Sequence, residues 1–492
     1  MYQRVVFSNA VRLATLLCAV GLMTLMLTGC YRLLSSKGGG QTSFDQPREV
    51  DPADVALPEG YRIEAVATGL TFPTGVAFDD GGAVYVTEAG YSYGGFEGTP
   101  RLIRIEPDGT TTEIARGTNP PWNGVAYYEG AFYVAGGHVE PGEVLRITPE
   151  GAVTPIARGL PSLGDHHTNG PAIGPDGWIY FGQGTASNSA VVGLDSYQFG
   201  WLEDYPDFHD IPCRDVTLAG QNYRTRNPLT PEEDDYAMTG PFAPYGEPAD
   251  SGQVVPGAIP CGGAVFRVAP EGGPLELVAW GFRNPFGLAF APDGRLYVTD
   301  NSYDVRGSRP AFGTGDYLWA VEPGRWYGWP DFAGGVPLTE FKPPGEDAPQ
   351  FVLVEPPNEP PHPAALLGVH SSSNGFDFSQ SATFGYAGDA FIAQFGDMAP
   401  QVGKVLAPVG YQVVRVDVRE GVVYGFAENE QGGGPASKVG GGGFERPVAA
   451  RFSPDGAALY VVDFGVMTMG ERGPEPRPET GVLWRITKEE QP

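Results

Sequence analysis

The chain predicts an all-β fold, a six-bladed β-propeller, on three observations. A strand, a Gly/Asp turn and a second aromatic, β-branched strand recur six times along the 492 residues. Each copy is followed by a second hairpin-like pair, which gives the four strands of a propeller blade. The last unit stops one strand short, and an unassigned strand precedes the first unit.

The six copies begin at Phe72, Pro121, His167, Arg283, Ser373 and Glu445, and "RNPFGLAFAPDGRLYVTDN" is the clearest. Alternating apolar positions joined by Pro-Asp-Gly-type turns are hairpin chemistry. The second pairs follow in turn, as in "RLIRIEPDGTTTEIARG" from Arg101, with weaker forms at Tyr317, Val413 and Val482. Tyr61 to Leu70 reads as the fourth strand of the last blade, closing the ring and hiding its sheet edges. One domain is therefore expected over residues 57–488. Its long gaps, 188–262 and 331–373, are rich in Pro, Gly, Asp and aromatics. Such loops on a rigid scaffold commonly shape binding sites.

Ahead of that domain, Arg4 and Arg12 precede an apolar run from Leu13 to Leu27. At about 15 residues it is shorter than the roughly 20 of a spanning helix and suits a secretory signal. The following Leu27-Thr28-Gly29-Cys30 resembles the lipobox of bacterial lipoproteins. That resemblance implies a signal peptide over 1–30, lipidation of Cys30 and a membrane-anchored protein on the periplasmic or cell-surface face. The polar segment 31–56, with "SSKGGGQTS", reads as a flexible tether. Of the four cysteines only Cys213 and Cys261 fall inside the domain, where they bracket the first gap. An oxidising compartment favours their pairing. A formal charge of −28 argues against nucleic-acid binding, which requires a basic surface.

In a propeller, the segments leading into the inner strands converge on one mouth of the central channel. They are Pro73 and Thr74, Trp122 and Asn123, Asp165 to Asn169, Arg283 and Asn284, Ser373 and Asn374, and Glu445 and Arg446. Convergent polar groups in a concavity are the default binding site. Histidine there suits proton abstraction, because its ordinary pKa lies near neutrality.

The segments "WGFRNPFGLAFAPDGRLYVTDN", "YGWP" and "DHHTNGPAIGPDG" together resemble the quinoprotein glucose/sorbosone dehydrogenase-like family, which uses pyrroloquinoline quinone (PQQ) on a six-bladed propeller. The resemblance implies oxidation of a sugar or alcohol hydroxyl by hydride transfer to PQQ. It makes His166 the general base, Asp165 its orienting group and Arg283 the cation that stabilises the reduced quinone oxygen, with Asn284 adding a hydrogen bond. His167 is expected to turn the other way. Arg415 is expected to bind the cofactor, and Lys404, Lys438 and Arg446 lie in suitable regions. Backbone carbonyls of Ser302 and Tyr303 are the counterparts of calcium ligands, although Asp300-Asn301-Ser302-Tyr303 replaces the family's Gly-Pro. Phe286 and Gly170 are further departures. No Cys-x-x-Cys-His occurs, so the electrons would pass to an external acceptor such as a cytochrome or quinone.

Two other classes compete. A metal-dependent lactonase would use metal-activated water, with Glu88, Asn123 and Asp300 as ligands. A non-enzymatic surface propeller would bind a polysaccharide or protein through its aromatic loops.

Overall fold

The protein is described by a computed structural model over residues 40–92, 96–397, 408–470 and 473–489. Cys30, the signal segment and Lys404 lie outside the described residues.

Six antiparallel sheets of the expected pattern are present. Their innermost strands are Pro73–Phe78, Trp122–Tyr128, Thr168–Ile173, Pro285–Phe290, Ser373–Phe378 and Pro447–Phe452, and we number the blades in that order. Each inner strand packs on the next, and Pro447–Phe452 packs back on Pro73–Phe78, which makes a ring. In the sixth sheet, Tyr61–Leu70 lies antiparallel along Gly481–Lys488 as the outermost strand.

The recurrent glycine of the inner strands reflects this close packing. A Cβ on Gly124 would stand 2.4 Å from the Gly170 carbonyl oxygen, and one on Gly287 would stand 2.3 Å from that of Asn374. Adjacent blades meet backbone to backbone there. Farther out, apolar side chains fill the space between blades, with Trp122, Trp319, Trp326 and Trp484 fully buried.

Two expectations need correction. Residues 40–56 do not form a tether. Arg48 is buried against Asp463 at 2.6 Å and donates to the carbonyls of Thr480 and Gly443, while Val55–Ala56 adds a fifth strand to blade 5. The second insertion is also shorter than 331–373, because Ala365–Val369 is the outer strand of blade 4. The segment after Tyr317 cannot supply that strand. Trp326, Tyr327 and Trp329 are all buried around Gly328 at φ +117°, which is a compact knot and not an alternating strand.

The first insertion leaves blade 3 after Ile179–Gln183 and returns at Ala264–Val268. It carries the short helices Leu194–Gln198 and Trp201–Asp204 and a hairpin of Tyr223–Arg226 with Tyr236–Thr239. Cys213 and Cys261 form a disulfide with Cα atoms 5.1 Å apart across 48 residues. Closing such a loop stabilises by about 4 kcal/mol in the chain-entropy account. Non-reduced protein is expected to weigh about two daltons less than reduced protein, and two alkylatable thiols in the non-reduced chain would overturn the bridge. No helix among the described residues is long and apolar enough to cross a membrane.

Candidate active site at the channel mouth

Each blade ends its second strand with a residue paired to the start of its inner strand: Glu88, Gly136, Gln183, Asp300, Gln394 and Asp463. In blades 4 and 6 this residue is a carboxylate that latches the incoming backbone. Asp300 Oδ1 accepts from the N–H groups of Arg283 and Asn284, and Trp319 Nε1 donates to its Oδ2. Asp463 repeats the arrangement with Glu445, Arg446 and Trp484. Burial pushes the Asp300 pKa up to about 7 against these donors. The latch fixes where Arg283 and Asn284 enter the mouth.

His166 is buried, and its Nδ1 lies 3.0 Å from the Thr185 carbonyl oxygen. A carbonyl only accepts, so Nδ1 carries the proton and Nε2 keeps the lone pair. Thr185 therefore fixes the ring and its tautomer. Asp165, expected to orient it, stands instead beside Nε2 at 3.6 Å, outside hydrogen-bond range. Burial pushes His166 down to about 4, helped by Arg283 and Arg306 and opposed by Asp165. His167 faces the other way, its ring edge-to-face with His138 at 4.6 Å.

Arg283 reaches the same cluster. Its Nη2 donates to Asn188 Oδ1 at 2.9 Å and to Asp304 Oδ2 at 3.0 Å, and stands 3.5 Å from Asp165 Oδ2. Arg306 donates to Asp165, Asp195 and Asp304. His370 Nδ1 lies 3.5 Å from Asp304 Oδ1, on a backbone at φ +54°. Burial would raise Asp165 and Asp304, but the two guanidinium groups hold both carboxyls below the usual range. Two arginines thus knit loops of blades 3 and 4 into one charged cluster, which His370, ahead of blade 5, joins through Asp304.

A run of carboxamides lines the same rim. Asn123 Nδ2 donates to Asn169, Asn169 to Asn284, Asn284 to Asn301, and Asn301 to the Ser373 carbonyl, at 2.9 to 3.1 Å. Asn123 Nδ2 also donates to the Thr168 carbonyl.

Other expected residues lie elsewhere. Arg415 is not brought to the mouth. It is ion-paired with Asp389 and sandwiched between the rings of Tyr386 and Tyr424, each 4.2 Å away. Asp389 precedes the second strand of blade 5, whereas the mouth lies at that strand's other end, Gln394. Arg446 is buried, with Nη1 on the carbonyls of Phe395, Gly396 and Asp397. Ser302 donates to Asp316 through its N–H and Oγ, and the Tyr303 carbonyl accepts from Thr314. Glu88 is bound to the Thr71 N–H and Arg101, so Glu88, Asn123 and Asp300 each serve their own neighbours. No group of three or more His, Cys, Asp or Glu able to hold a metal occurs among the described residues.

Sequence reasoning missed Thr185, Asn188, Asp304, Arg306 and His370. The "DVRGSRP" stretch carrying two of them has charge but no periodicity.

No protein-family model and no curated protein matches this sequence. The structure is similar to the holo form of the pyranose dehydrogenase PQQ domain from Coprinopsis cinerea, at TM-score 0.53 and 15% identity over 91% of this chain and 99% of that one. It is similar to a calcium structure of a Trichoderma reesei carbohydrate-active enzyme of family AA12, at 0.50 and 16% over 90% and 98%. The apo form of the soluble aldose sugar dehydrogenase from Escherichia coli matches at 0.50 and 14% over 87% and 100%. These likenesses establish a shared propeller fold.

Proposed function

We propose that this chain is a quinoprotein-type oxidoreductase that oxidises a sugar hydroxyl at the channel mouth. The observation that carries the reading is His166, a buried neutral imidazole whose Nδ1 proton is held by Thr185, leaving Nε2 as a base beside a guanidinium pair. The sugar dehydrogenases that share its fold support the substrate class.

The donor set fits the reacting edge of PQQ. Arg283 and Asn284 supply N–H groups where oxygen gains negative charge. Those two would hold the group, and when bound it would accept the hydride leaving the sugar carbon. His166 Nε2 takes the hydroxyl proton, Thr185 keeps the ring in the correct tautomer, and Arg283 opposes charge on oxygen. A calcium ion would depend on backbone oxygens such as those of Ser302 and Tyr303, since side-chain ligands do not cluster there. The electrons would pass to an external cytochrome or quinone, and the lipobox-like Leu27-Thr28-Gly29-Cys30 supports a membrane-anchored protein at the periplasmic or cell-surface face.

Titration of the purified chain with PQQ and calcium, against a panel of aldoses and alcohols with a reducible dye, is expected to give saturable sugar oxidation. Dye reduction that ignores added PQQ would sink the reading. Because His166 must be neutral to accept a proton, kcat/KM is expected to stay level from pH 7 down to about pH 5 and to fall as pH drops through about 4.

A further inference from the structure

We infer that Arg306 is a positioning residue that holds the Asp165 carboxylate off the base nitrogen of His166, an inference that rests on the proposed role of His166. One oxygen, Asp165 Oδ2, lies among three claimants: 2.5 Å from Arg306 Nη2, 3.5 Å from Arg283 Nη2 and 3.6 Å from His166 Nε2. Arg306 is itself anchored, with Nη1 on Asp195 at 2.8 Å and Nε on Asp304 at 3.0 Å. Its head therefore cannot follow Asp165 toward the imidazole. Were Arg306 removed, Asp165 Oδ2 would need to move only a few tenths of an ångström to accept a hydrogen bond from a protonated Nε2. That bond would hold the proton on the base and close its lone pair to a substrate hydroxyl.

The charged and titratable groups around the pair are Asp165, Asp195, Asp304, Arg283 and Arg306, with His167 and His370 beyond them. Three carboxylates face two arginines. Loss of Arg306 leaves Arg283 alone against all three, so His166 should become more basic. The anchor on Asp195 has a second meaning, because Asp195 sits in the helix Leu194–Gln198 of the first insertion. Arg306 thereby joins the insertion to the base without touching substrate.

The test is an NMR titration of the histidine C2 protons in the cofactor-free chain, with His166 assigned through His166→Gln. In wild type the His166 midpoint is expected near 4, and in Arg306→Gln it is expected to rise toward the ordinary 6.5. Arg306→Lys, which keeps the charge but not the planar fork, is expected to fall between. A folded Arg306→Gln with an unmoved midpoint overturns the inference. If Arg306→Gln does not fold, an Arg306→Lys midpoint equal to wild type does so. The readout separates this inference from the oxidoreductase reading. A shifted midpoint in a protein that PQQ never activates leaves Arg306 positioning His166 and removes only the enzyme assignment. An active protein with no shift does the reverse. In the active protein the acid limb of kcat/KM should move to higher pH with the midpoint.

Discussion

His166→Ala is expected to lower kcat for sugar oxidation by about 10²–10⁴-fold, the usual contribution of a positioned general base, with KM changed far less. The asymmetry follows from when the contact matters. His166 Nε2 is lone-pair-bearing because Nδ1 is committed to Thr185, so it gains most as the hydroxyl proton moves, and interactions made only in the transition state appear in kcat. The fold should survive, because the neighbouring carbonyl of Thr185 also accepts from the His166 backbone N–H, which alanine retains. The measurement is steady-state kinetics on PQQ-loaded protein beside a thermal melt. An alanine variant with wild-type kcat would remove His166 from the chemistry.

Arg309→Met is expected to destabilise the protein by about 3–5 kcal/mol, as breaking a buried ion pair does. Arg309 is fully buried. Its Nη2 donates to Asp331 at 2.6 Å and to the Gln350 carbonyl, while Nη1 donates to the carbonyls of Pro330 and Ser189. Methionine fills the space but leaves Asp331 without its cation and several carbonyls without donors. Adding Asp331→Leu should not restore stability, because Asp331 also accepts from the N–H groups of Val352 and Leu353. Urea unfolding of the two variants checks both statements, and an unchanged midpoint in Arg309→Met contradicts the first. Activity should fall as well, since Arg309 shares its loop with Arg306 and ties it to Ser189, next to the Arg283 partner Asn188.

What the sequence made legible, and what it hid, follows from how each signal is written. Blades are readable because period-2 alternation and Gly/Asp turns repeat. His166 and Arg283 are readable because they precede inner strands, and ring topology sends such positions to the mouth. Arg415 shows the limit. Alternation says which face of a strand a residue takes, but the end of the blade it serves depends on the partner, here Asp389. Thr185 holds the ring through its backbone carbonyl as well as its hydroxyl, and a carbonyl leaves no mark in side-chain identity. Arg306 lies between second and third strands, in a connection whose length varies from blade to blade. Composition misled at 40–56, where one buried pair, Arg48 with Asp463, holds down a segment that otherwise looks polar and loose.

The carboxamide run at the rim has a direction. Every N–H from Asn123 through Asn301 points toward blade 5, and its two ends rest on backbone carbonyls, Thr168 and Ser373, that can only accept. Turning one amide round would set oxygen against oxygen on one side and N–H against N–H on the other. Each buried group left unpaired costs about 1–3 kcal/mol. Turning all of them round would leave the Ser373 carbonyl facing another oxygen, so the reversed arrangement has no stable ending. The mouth is therefore a polarised arc with a fixed sense of rotation, and a ligand that crosses it meets a compass needle where sixfold architecture would lead one to expect a symmetric ring.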